Sequence, residues 1–190
     1  MHDERRRERT AGASTRSLDN NLRVAPSSSR MLTSYLSDIE QLLDEQHWEG
    51  ALREALDLPQ IAVALSDPQL SASRDRVKAW CDEWIRPTDP DRNAHGADYE
   101  RVSSTVMTHA IQDEGDAVPS LALKRLRLRR HARTPPRGFS FDRTTNFGPE
   151  ANNAINTCSI LVEAARRWYA HSAVHDSAVQ ANLARLAVLR

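Results

Sequence analysis

The chain has 190 residues, of which 39% are hydrophobic and 27% are charged, and its formal net charge at pH 7 is zero. This length and composition are typical of one globular domain with a hydrophobic core, and they exclude a fully disordered chain. A neutral chain exerts no overall attraction on nucleic acid or on a membrane surface, so any electrostatic function depends on how its charges are distributed.

The first 30 residues are rich in Arg, Ser, Asn and Thr and show no sustained hydrophobic period. Such a segment buries too little apolar surface to offset its ordering entropy, about 1–2 kcal/mol per residue. We therefore predict a disordered polar tail over residues 1–30 and a single helical domain over residues 31–190.

The first half of this domain begins with helical patterns. Apolar residues recur every three or four positions over residues 32–43, which predicts an amphipathic helix. We expect Gly50 to separate this helix from a second one at residues 51–56. Asp57 and Pro59 then supply a capping residue and an early helical proline, which predict a short third helix.

A further start signal stands at Asp67 and Pro68, from which we predict a fourth helix that ends at Pro87. Residues 87–97 are polar and rich in turn-forming residues, which predicts a loop. The apolar spacing over residues 98–112 then predicts another amphipathic helix.

Residues 118–133 give an ambiguous pattern, because their leucines do not share one helix face. The spacing also fits a strand with a bulge. We predict a helix, since the surrounding segments offer no obvious strand partner. Residues 134–148 are expected to form a loop whose phenylalanines pack against the rest of the domain.

Pro149 opens the longest helical pattern, which weakens over residues 171–177 and so predicts a kink or a short turn. Asp176 or Ser177 can cap a last helix. Together the segments predict an all-α fold, a compact helical bundle or array of about six to seven helices behind the disordered tail.

The two cysteines, Cys81 and Cys158, lie in or beside the apolar stripes of helical patterns. Two cysteines in a chain of this length do not form a disulfide framework, so we expect buried free thiols in a reducing compartment. No run approaches the ~18 consecutive apolar residues that a membrane span requires. The basic N-terminus, MHDERRRERT, lacks the apolar segment of a secretion signal. We therefore expect a cytoplasmic protein with no membrane partner.

Charge is segregated along the chain. Residues 82–116 are rich in acidic side chains, whereas residues 124–143 are strongly basic. A basic segment of this kind pairs with the protein's own acidic segment, faces solvent, binds an anionic protein, or neutralises the phosphates of a nucleic acid. Phe139 and Phe141 beside it are able to stack on bases. We predict that its arginines form a binding face made of Arg125, Arg127, Arg129, Arg130, Arg133 and Arg137.

A second candidate site lies near the end of the longest helical pattern. His171 and His175 are four residues apart, so both rings can approach one metal ion. Ser172 stands where the helical zinc motif has a glutamate, so we interpret the pattern as a solvent-facing polar stripe and not as a metal site. Arg166 and His171 also form an Arg-x4-His pair, which is similar to the motif of the HEPN-type ribonucleases. We predict no metal and no cofactor here.

The sequence contains no nucleophile elbow, no phosphate-binding glycine loop and no dinucleotide fingerprint. We therefore predict a non-catalytic helical protein-interaction module, namely an adaptor, small subunit or chaperone-like partner of a larger bacterial assembly. A nucleic-acid-binding protein that uses residues 124–143 is the alternative. A helical metal-dependent or nuclease-like enzyme, centred on Glu163, Arg166, His171 and His175, is the third possibility. The oligomeric state stays open.

Overall fold

The computed structural model describes residues 27–86, 96–112, 120–128 and 148–188. Within these ranges the chain forms eight α-helices and one π-helical turn and contains no β-strand, which confirms the all-α prediction. The elements are α1 (Ser27–Asp44), α2 (Trp48–Leu56), α3 (Leu58–Leu65), α4 (Arg74–Trp84), α5 (Gly96–Gln112), α6 (Ser120–Leu128), α7 (Pro149–Trp168), the π-helical turn (Tyr169–Ala173) and α8 (Ser177–Val188).

Several predicted boundaries are confirmed. The helix α5 covers the segment predicted at residues 98–112, and α7 begins at Pro149. The ambiguous leucine-rich segment is helical over α6. The predicted interruption after α7 is the π-helical turn, which ends with a hydrogen bond from the Val174 amide to the Tyr169 carbonyl at 3.0 Å. Asp176 caps α8, since its Oδ1 accepts from the Ala178 amide at 2.7 Å.

Other predictions fall at or beyond the edges of these ranges. The helix α1 begins at Ser27, ahead of the expected domain boundary at Met31, and residues 1–26 lie outside the described residues. The predicted loops at residues 87–97 and 134–148 also lie outside them, apart from the first turn of α5 and Gly148. No helix in the described ranges is long and apolar enough to cross a membrane.

The break between α1 and α2 is not where the sequence predicted it. Gly50 lies inside α2, so the expected break there is wrong. The chain turns instead at Gln46, which adopts a left-handed conformation with φ of 61°. The Gln46 amide donates to the Leu43 carbonyl and the His47 amide donates to the Leu42 carbonyl, at 3.1 and 2.8 Å. These two bonds form a Schellman motif that ends α1 without glycine.

The predicted start of α4 at Asp67 and Pro68 is also wrong, because α4 begins at Arg74. Asp67 is the first residue of a local turn and does not begin a helix. Its Oδ1 accepts from the Gln69 amide at 2.7 Å, and its carbonyl accepts from the Leu70 amide at 2.9 Å. Leu70 has a positive φ of 56°, which prevents this turn from continuing as a helix.

The helix α3 forms the centre of the molecule, and all eight of its residues are buried. Its sequence, LPQIAVAL, is apolar on almost every face, as expected for a helix that is surrounded on all sides. The helices α2, α4, α6, α7 and α8 pack around it. Asn182 of α8 fixes the chain at the end of α3, because its Nδ2 donates to the carbonyls of Leu65 and Asp67 at 2.9 and 2.8 Å.

Both cysteines are buried free thiols, as predicted. Burial raises the pKa of Cys81 and of Cys158 to about 12. Because the thiolate is the reactive form, we expect neither thiol to react with a disulfide reagent at neutral pH while the protein is folded. Both should react at once in denaturant. Titration with a chromogenic disulfide at increasing denaturant tests this expectation, and fast labelling of the native protein would contradict it.

Candidate functional site

Asp57 stands at the junction between α2 and α3. Its backbone is helical, with φ of −74° and ψ of −21°, and its carbonyl accepts the first hydrogen bond of α3 from the Ile61 amide at 2.9 Å. Its side chain makes no capping hydrogen bond, which differs from the predicted role. Since α2 runs into α3 almost without a break, the carboxylate points away from the helix end and toward other helices.

Three residues from other helices surround this carboxylate and, with Asp57, form what we call the Asp57 cluster. His109 of α5 donates from Nε2 to Oδ1 at 2.9 Å, and Arg125 of α6 donates from Nη1 to Oδ2. Tyr35 of α1 donates its hydroxyl to the Glu54 carbonyl at 3.0 Å and lies 3.4 Å from Oδ2. Because a carboxylate only accepts hydrogen bonds, His109 carries its proton on Nε2.

The Asp57 cluster is largely closed to solvent. The Asp57 side chain is 1% exposed, that of His109 is 19% exposed and that of Arg125 is 27% exposed. Burial by itself would lower the pKa of Arg125, but the Asp57 charge and the hydrogen bond to it outweigh burial, so the pKa of Arg125 is raised. Arg125 therefore remains charged and compensates a carboxylate that would otherwise be expensive to bury.

Arg125 was predicted to lie on a binding face, and the structure places its guanidinium against the protein's own Asp57. Arg127 lies on α6, and the other four arginines of the predicted face lie outside the described residues. They are Arg129, Arg130, Arg133 and Arg137.

His109, Tyr35 and Asp57 were not predicted from the sequence to be members of one site. A signal for Asp57 was present, since it is the only charged residue in the apolar run of residues 55–65. A carboxylate in such a run is buried with its helix and therefore requires a cation from elsewhere in the fold. Nothing local in the sequence identifies that cation.

Arg166, which was grouped with His171 and His175, binds across the fold instead. Its guanidinium donates to Oε1 of Glu40 on α1, whose side chain is 6% exposed. His171 and His175 are both exposed; His171 lies within the π-helical turn that follows α7, and His175 lies after that turn. Within the described ranges no group of three or more His, Cys, Asp or Glu side chains is arranged to hold a metal ion.

Glu40 leads to a prediction about pH. Burial raises the pKa of Glu40 and repulsion from Asp44 adds to it, while the Arg166 guanidinium acts in the opposite direction. A raised pKa in the folded state means that the stabilising contribution of Glu40 is present at low pH and is lost as the pH rises. Each unit of such a shift corresponds to ~1.4 kcal/mol at neutral pH.

We therefore expect Glu40→Gln to become more stable than the wild-type protein as the pH rises above about 4.5, until Glu40 is fully ionised in the folded state. Glutamine keeps an oxygen for Arg166 and carries no charge. Denaturant unfolding of both proteins at several pH values measures the difference, and Glu163→Gln, at an exposed position of α7, serves as the control. The opposite result, in which the wild-type protein becomes the more stable of the two as the pH rises, would contradict this prediction. It would show that the ion pair with Arg166 outweighs the cost of burying the Glu40 charge.

Comparison of the chain with protein-family models, with curated proteins and with solved structures finds no match. The functional proposal therefore depends on the geometry of the Asp57 cluster and of the helices that it joins.

Proposed function

We propose that the chain is a non-catalytic helical protein-interaction module, which serves a bacterial, cytoplasmic assembly as an adaptor, small subunit or chaperone-like partner. The Asp57 cluster is the observation that carries this proposal. The His109 imidazole of α5 and the Arg125 guanidinium of α6 both bind the Asp57 carboxylate at the α2–α3 junction, and the Tyr35 hydroxyl of α1 lies beside it. These groups hold helices in place, which is the chemistry of a scaffold.

Polar side chains elsewhere support the same interpretation. The Tyr99 hydroxyl of α5 donates to Asp82 of α4. Arg101 of α5 donates to the Thr157 hydroxyl of α7 at 2.8 Å. Arg167 of α7 donates to the carbonyl of Trp84 at the end of α4, at 2.6 Å. In each case a polar side chain joins two helices, and together the three contacts link α4, α5 and α7 to one another.

The nucleic-acid alternative draws on the same basic segment, residues 124–143. Arg125 is already paired with Asp57, so this alternative depends mainly on the arginines that follow it. An experiment on Arg127, Arg129 and Arg130 therefore distinguishes a protein partner from a nucleic acid. Lys124 is the matched control. Lys124 is exposed on α6, one position before Arg125.

The experiment is purification of the tagged full-length chain from its own cells, before and after nuclease treatment. We expect one protein to co-purify in a fixed ratio, to survive nuclease, and to be lost with Arg127→Ala/Arg129→Ala/Arg130→Ala but retained with Lys124→Ala. Loss of the partner on nuclease treatment, together with salt-sensitive binding of labelled nucleic acid, would replace the proposal with the nucleic-acid alternative. If the protein turned over a substrate, and changes at His171 and His175 abolished that turnover, the enzyme alternative would replace the proposal.

A further inference from the structure

We draw no further inference here: the strongest candidate, the outer face of α8 on which Ala181, Ala184 and Val188 are exposed, is an unpartnered apolar surface patch, and nothing in the described part of the structure shows what covers it.

Discussion

Arg125→Gln is expected to lower the free energy of unfolding by about 3 kcal/mol, which is a large part of the stability of a domain of this size. The substitution leaves the Asp57 carboxylate in a site where it is 1% exposed, without the guanidinium that compensates it. His109 still donates to Oδ1, but Oδ2 loses its charged donor. Guanidinium chloride unfolding, followed by circular dichroism, measures the loss.

Replacing Asp57 is expected to lower the free energy of unfolding by less than replacing Arg125 does. Asp57→Asn removes the buried charge, and Arg125 is exposed enough to turn toward water, so we expect a loss of about 1–2 kcal/mol. The double variant Asp57→Asn/Arg125→Gln should lie close to Asp57→Asn, because the two changes remove one interaction. Lys124→Gln is the control and should change stability by under about 0.5 kcal/mol. Additive losses in the double variant would show that the two side chains act independently.

The second large effect is expected in the central helix. Ile61→Ala should lower the free energy of unfolding by about 3–4 kcal/mol, because Ile61 is fully buried in α3 and the surrounding helices cannot close the cavity completely. Val174→Ala removes apolar atoms from a side chain that is 44% exposed, and we expect it to cost under about 0.5 kcal/mol. Similar losses in the two variants would contradict the central position of α3.

Hydrophobic periodicity predicted the helices well because a helix is a local structure. The residues on its buried face are apolar and recur every three or four positions in the sequence. The errors at Gly50 and at Asp67 have a common cause. In both places a non-glycine residue, Gln46 or Leu70, adopts a positive φ that local residue preferences do not favour. Neither Gln46 nor Leu70 is a residue type from which a turn of this kind is predicted.

The Asp57 cluster shows the limit of local patterns more clearly. Arg125 was predicted from the sequence as part of a binding face, and its contact with Asp57 was not predicted. Asp57 precedes His109 by 52 residues and Arg125 by 68 residues. Only the packing of α5 against α2 and of α6 against α3 brings these side chains together, and no spacing rule within one helix contains that information.

The central position of α3 has a consequence for the synthesis of the chain. Two of the helices that enclose α3, α7 and α8, are translated long after it. Until Pro149 and the residues after it leave the ribosome, the eight-residue segment Leu58–Leu65 lacks much of its cover. Nascent or prematurely terminated chains therefore expose a continuous apolar stretch, and they should aggregate or engage chaperones far more than the complete chain does.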